Sequence, residues 1–430
     1  MEGEREMWKA LGIDLKRNDE FLEAASQIYG DVYMKQPNRP KGMDYFDFVM
    51  SEVHSIRPKE MVDHRKKGGK VVGTFCVYVP DEIIFAANGI AVGLCCGSDF
   101  SFVDADDILP ANLCPLIKSG MGFKKGMLSP YFEACDFLVG ETTCDGKKKV
   151  YEILDNYCMP TYIMEVPQKK DPEQRNLWLK EVELFKEKME KEAGVEITPE
   201  VLGEKIKLIN ARRKVLERLY NLRKNSPAPI SGKDALLVSQ IAFYDDPERF
   251  TSKVDELCDE LEERVKNGEG VAEPTAPRIL VSGCPMVMPN WKLHHIVETN
   301  GAIVACEETC TGTRYFDTPC VDETPTDING QLEAIADRYL NIKCSCFTPN
   351  DDRVEQIVKF ARDYKAAGVI YYTLQFCLAY NVEYEKVKRA LNKEGIPLLK
   401  IETDYSQEDT GQLTTRIEGF LERISLNSGL

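Results

Sequence analysis

Short apolar runs alternate with helix-period stretches along this chain in two separate blocks, and that alternation constrains its fold more than any other feature. The first block holds β-type runs at Val71–Val79, Ile90–Leu94, Phe137–Val139 and Thr161–Val166. The second holds Ile279–Ser282, Ile303–Ala305, Val369–Tyr372 and Leu398–Ile401. Runs of this length, without a regular polar alternation, are the mark of strands covered on both faces, as in a parallel sheet flanked by helices. Helical spacing supplies the flanks: Phe21, Ala24, Ala25 and Ile28 before the first block, Gln331–Leu340 and Val354–Ala366 inside the second. The expected fold class is therefore α/β, with two parallel-sheet lobes of flavodoxin or Rossmann type. A length of 430 residues agrees with more than one domain.

Between the blocks the composition shifts. From Asp171 to Asn225 the chain is dense in Lys, Glu and Arg, with Leu202, Ile206, Ile209, Leu216 and Leu219 along one helical face. Thr198 and Pro199 read as an N-cap and a first-turn proline, and Ser226-Pro227-Ala228-Pro229 closes the segment. A further helical stretch, Lys253 to Lys266, leads to the loop Gly268–Pro277. The expected organisation is an N-terminal lobe over 1–168, a helical linker region over 169–270 and a C-terminal lobe over 271–430. The ligand cleft would lie between the lobes.

Fifteen cysteines and four histidines bias the chemistry towards thiolates. The N-terminal residues carry charges throughout and lack a secretory h-region, and Ile83 to Cys96, the longest apolar run, is too short to span a bilayer. A cytoplasmic location is expected, where thiols stay reduced and a disulfide framework is disfavoured. With 55 basic against 71 acidic residues the formal charge is −16, which opposes partnership with nucleic acid or an anionic membrane surface and leaves small molecules and proteins. No GxxxxGK[ST] sequence occurs, so no nucleotide is expected on this chain itself.

The positions of the cysteines matter more than their number. Cys144, Cys284, Cys310 and Cys377 each follow an expected strand, and in open parallel sheets the ligand crevice lies beyond the carboxyl ends of the strands. Cys114 precedes Pro115 at a helix start, where backbone N–H groups favour a thiolate. Cys344 and Cys346 share a loop between two helices. Cys76, Cys135, Cys158 and Cys258 read instead as small buried hydrophobes, while Cys95, Cys96, Cys306 and Cys320 are compatible with either role. There is no CxxC, hence neither a zinc ribbon nor the run of small ferredoxins. Spacing alone leaves the metal open.

Several stretches together resemble the 2-hydroxyacyl-CoA dehydratase and benzoyl-CoA reductase-like family, and within it the double-cubane cluster proteins. They are Asn112-Leu-Cys-Pro-Leu-Ile-Lys-Ser119, Glu141-Thr-Thr-Cys-Asp-Gly-Lys147, Glu307-Glu-Thr-Cys-Thr-Gly-Thr-Arg314, Asp337-Arg-Tyr-Leu340, Gln375-Phe-Cys377, Ile396-Pro and Ile401-Glu-Thr-Asp-Tyr405. The resemblance runs from about residue 70 to the C-terminus. It implies that Cys114, Cys144 and Cys377 hold one iron–sulfur cubane. The double-cubane branch, to which the wealth of second-lobe cysteines points, implies an [8Fe-9S] cluster with further ligands. Cys310, Cys344 and Cys346 are the choice for these, with Cys284 and Cys306 as substitutes.

That branch further implies a homodimer that receives low-potential electrons from a separate ATP-hydrolysing iron–sulfur activator and reduces small molecules such as acetylene. Arg314, Lys147 and Lys118 are candidate donors to an anionic cluster, and Glu307 and Glu308 are the candidate catalytic proton relays. Three other readings compete: a 2-hydroxyacyl-CoA dehydratase subunit with a single [4Fe-4S] cluster, a non-enzymatic electron-transfer protein, and a zinc-dependent structural protein.

Overall fold

The computed structural model describes residues 2–428, and both sheets take the expected parallel form. The first contains β1 (Lys70–Thr74), β2 (Gly89–Gly93), β3 (Phe137–Glu141) and β4 (Thr161–Met164), in the order β2-β1-β3-β4. The second contains β5 (Arg278–Gly283), β6 (Ile303–Glu308), β7 (Gly368–Leu374) and β8 (Leu398–Thr403), in the order β6-β5-β7-β8. The two lobes thus repeat one topology, although no sequence repeat announces it. In each, the chain steps from its first strand to one side and then crosses to the other, which opens a crevice between β1 and β3, and between β5 and β7, at the carboxyl ends.

Every residue of β3, β5, β6 and β7 is buried, which accounts for the absence of polar alternation in their sequences. Strand ends differ from the sequence expectation in two instructive places. β1 stops at Thr74, and the apolar residues that follow leave the sheet as a loop; the Cys95 thiol donates to the Phe75 carbonyl at 2.9 Å in place of a strand partner. β6 extends to Glu308, so Glu307 and Glu308 stand in a buried strand rather than in a loop.

The charged middle segment forms a hairpin of helices Pro172–Ala193 and Pro199–Leu222. Thr198 caps the second by accepting from the Val201 amide, with Pro199 in the first turn. Its apolar face packs on helix Asp81–Ala86 of the first lobe, while Pro172–Ala193 packs on Ile328–Leu340 of the second. Where the three meet, Arg213 joins Glu82 at 2.7 Å and Tyr339 at 2.9 Å, all fully buried. Helix Gly232–Ile241, buried along its whole length, lies against β6. One apolar core consequently runs through both lobes and the helical segment, and a second core lies within the first lobe. No helix among the described residues is long and apolar enough to cross a membrane.

Candidate functional site

Three of the sequence-assigned cysteines occupy equivalent backbone positions. Cys114 is the N-cap of helix Pro115–Lys125, Cys144 of Asp145–Tyr157 and Cys377 of Leu378–Lys393. At an N-cap the first amides of the helix point at the side chain and the dipole presents its positive end, so a thiolate or anionic cluster is favoured there. None of the three sulfurs closes a capping hydrogen bond in this conformation; the nearby amides of Leu116 and Ile117, of Gly146 and Lys147, and of Tyr380 favour the thiolate, while neighbouring thiols and burial raise the pKa of all three cysteines. Phe376 adopts a left-handed backbone (φ 61°), rare for an aromatic residue, to turn the chain from β7 into this cap.

These three thiols border one cavity between the lobes, with about 990 Å³ of atom-free space, part of it open to solvent. Its lining includes eight cysteines: Cys76, Cys95, Cys114, Cys144, Cys310, Cys344, Cys346 and Cys377. All fifteen cysteines of the chain are free thiols. On one side Cys377 neighbours Cys114 and, behind it, Cys284. On the other, Cys76 pairs with Cys310 and Cys344 with Cys346. Cys144 lies at the exposed rim.

The six cysteines assigned from sequence are therefore brought to one place, and Cys284 stands next to them outside the cavity. Cys306 is not among them: its thiol is buried on β6 against Tyr364 and Arg223, away from the cleft. Cys76 corrects the expectation that it fills the core. It stands two residues beyond β1, at the same topological place that Cys284 takes after β5, and the apolar run to Val79 conceals in the sequence where the strand ends.

Two cations serve the thiols. Arg314 Nη1 lies 3.2 Å from Cys310 Sγ and 2.6 Å from the Tyr380 hydroxyl, which is itself 3.8 Å from Cys344 Sγ. The neighbouring Cys76 thiol, with Arg314 adding its charge, outweighs burial and lowers the Cys310 pKa to about 7. The Cys346 thiol likewise holds Cys344 below the ordinary range, and Tyr78 stands 3.5 Å from Cys346. Among the described residues, Lys147 is the only lysine, arginine or carboxylate in the lining. Burial alone would pull its pKa down, but Cys76 and Glu141 more than offset that, and Glu141 holds it at 2.7 Å. Lys118 instead pairs with Asp106 at 2.5 Å and does not reach the lining.

Glu307 and Glu308 do not border the cavity. Glu308 receives Arg314 at 2.6 Å, Arg353 at 2.9 Å and the Ser282 hydroxyl at 2.7 Å, and so fixes the arginine that faces Cys310. Burial, which favours the neutral acid, is outweighed by those two arginines, so its pKa is lowered. Glu307 is enclosed by Arg223, Tyr220 and His294. Both acids are thus buried outside the lining, and Glu308 is connected to it through Arg314, which faces Cys310.

No three His, Cys, Asp or Glu side chains among the described residues converge as a single metal ion requires. The donors stand as pairs of soft thiols around a wide cavity with two cations beside them. That set fits a larger thiolate-bound, anionic group better than one tetrahedral ion.

Comparison with known proteins agrees with this architecture. The family model described as "2-hydroxyglutaryl-CoA dehydratase, D-component" matches residues 76–424. YjiM of Escherichia coli (strain K12), which carries a provisional dehydratase-subunit designation, is 38% identical over 367 residues, covering 85% of this chain and 94% of its own. The (R)-phenyllactyl-CoA dehydratase beta subunit of Clostridium sporogenes is 26% identical, with 85% of this chain and 97% of its own covered. One of the benzoyl-CoA reductase subunits of Thauera aromatica is also 26% identical, with 87% of this chain and 95% of its own covered. With matches of this extent over both lobes and the cysteine cleft, the chain belongs to the 2-hydroxyglutaryl-CoA dehydratase D-component family.

Proposed function

We propose that the protein is a cytoplasmic iron–sulfur reductase that holds a double-cubane [8Fe-9S] cluster in the interlobe cavity and reduces small molecules. The observation that carries this reading is the lining itself, in which eight cysteines from both lobes surround one cavity. Cys114, Cys144 and Cys377 would hold one half, and Cys310, Cys344 and Cys346, with Cys76 now beside them, would supply the other. When bound, such a group stores electrons at a low potential set by its charge, hydrogen bonds and exposure. The chain's own contribution is to hold the thiols at helix N-caps, to place Arg314 and Lys147 against the negative charge, and to limit water behind the apolar residues Phe75, Leu116 and Val287 of the lining. Electrons would come from a separate ATP-hydrolysing iron–sulfur activator, and the working form would be a homodimer. That several relatives are named as enzyme subunits supports work within a larger assembly.

The relatives' names favour a second reading, a 2-hydroxyacyl-CoA dehydratase subunit with one [4Fe-4S] cluster. Under it, Cys76, Cys310, Cys344 and Cys346 would have no metal to hold. The lining also offers a polyanionic CoA ester only Lys147. Iron and acid-labile sulfide per chain on anaerobically purified protein separate the two. About eight irons, reduced in both Cys310→Ser and Cys377→Ser, agree with the double cubane. About four, lost with Cys377→Ser and indifferent to Cys310→Ser, establish the dehydratase type, and a metal-free protein refutes both.

A further inference from the structure

Two more voids lie in series with the cysteine cavity. The middle one, with about 610 Å³ of atom-free space, part of it open to solvent, is walled by aromatic and aliphatic side chains such as Phe21, Val53, Phe123, Phe132 and Trp291. It shares the wall formed by Gly93, Cys95, Tyr244 and Met288 with the cysteine cavity. On its other side it shares Leu22, Ala25, Met50, Val53 and His54 with an outer groove, which reaches solvent beside the exposed Met34 and Phe48. The three voids thus run from the surface between helices Leu15–Tyr29 and Met43–Ser51 to the thiols.

We propose that this series is the route by which a small uncharged molecule reaches the cysteine cavity, with Met288 as its movable inner wall. The proposal rests on the reading of that cavity as the reducing centre. Three observations carry it. First, no Asp, Glu, Lys or Arg among the described residues lines the middle void. A phosphate-bearing or carboxylate substrate passing through would lose its hydration with no cation in return, whereas a small neutral molecule loses little. Second, the one imidazole there is held neutral: packing against Phe21 and Tyr131 desolvates His54 and pushes its pKa down to about 4, and its Nδ1 lies 2.8 Å from Asn18 Nδ2. Third, the inner wall is unevenly built. The Tyr244 hydroxyl is tied to the Cys95 carbonyl at 2.9 Å and Gly93 has no side chain, so the unbranched, flexible Met288 is the member able to yield.

The first test needs no turnover. In crystals of the anaerobically purified protein pressurised with xenon, which enters dry apolar cavities, density is expected in the void between Phe21, Phe132 and Trp291. A map with no xenon there overturns the proposal. In the second test, Val53→Trp fills the middle void, and Ala25→Phe does so from helix Leu15–Tyr29. With electrons supplied and acetylene as the probe, each variant is expected to raise KM for acetylene about tenfold at unchanged kcat and unchanged iron content. A variant that excludes xenon yet keeps the wild-type KM overturns the route. Iron content and wild-type acetylene reduction report separately on the proposed function, so a metal-free or inactive wild type refutes that reading while the xenon map still decides whether the passage exists.

Discussion

Replacing Glu307 by Gln isolates the energetics of the buried network behind the site. The carboxylate accepts from Arg223 at 2.6 and 2.8 Å, from the Tyr220 hydroxyl at 2.7 Å and lies 2.9 Å from His294 Nε2. Glu307, Arg223 and His294 are each no more than 1% exposed, so water cannot replace the lost charge. Burial would raise the Glu307 pKa, but Arg223 and then His294 outweigh it and hold it at about 2 against an ordinary 4.5. At about 1.4 kcal/mol per pH unit, that gap corresponds to a contribution of about 3 kcal/mol at pH 7. Breaking a buried pair by neutralising one member typically costs about 3–5 kcal/mol, which agrees.

The folded pKa is depressed, so the contribution is complete above pH 4.5 and fades as pH falls towards 2. Urea unfolding followed by tryptophan fluorescence at pH 7 should show Glu307→Gln destabilised by about 3 kcal/mol. The loss should be equal at pH 5.5, with iron content unchanged. A loss below about 1 kcal/mol would refute the electrostatic argument. A stable variant that no longer turns over would return Glu307 to a catalytic role.

Two further outcomes follow from the same structure. Cys76→Ser should lower iron and sulfide per chain, whereas Cys258→Ser, whose thiol is buried in helix Pro247–Lys266 away from the cavity, should leave both at the wild-type level; equal metal content in the two variants would remove Cys76 from the site. Gly283→Ala should destabilise the protein by more than about 1 kcal/mol in urea unfolding, because φ is 141° and a Cβ there would stand 1.9 Å from the Tyr372 carbonyl oxygen; wild-type stability would show that this strand end tolerates a side chain.

The arginines next to the site illustrate how distant parts of the chain cooperate. Glu308 on β6 anchors Arg314 from the following loop and Arg353 from helix Asp351–Asp363, and Arg353 also reaches Glu383 on helix Leu378–Lys393. The cation facing Cys310 is thereby tied to the helix that Cys377 caps. A disturbance at Glu308 would reach both halves of the thiol set.

Much of the protein is legible in the order of its residues. Fully apolar runs between helical patterns identify buried parallel strands, because such strands have helices on both faces and no reason to alternate. Thr198-Pro199 identifies a helix start because its capping chemistry is local. Cysteines just beyond those runs and at helix starts identify the edge where ligands gather, and six of the eight thiols lining the cavity are legible in that way or by family resemblance. What the sequence leaves undecided depends on groups distant along the chain. Cys76 reads as core because the apolar character of residues 75–79 continues past the last sheet hydrogen bond, and only the neighbouring strands decide where pairing stops. Glu307 and Glu308 read as candidate proton relays beyond a strand expected to end at Ala305, yet β6 carries them inward to Arg223, Arg314 and Arg353. Pairing among the thiols, the equal strand order of the two lobes and the apolar passage past Met288 arise only when both lobes close on one core, since burial, charge pairing and voids belong to the packed chain rather than to any stretch of it.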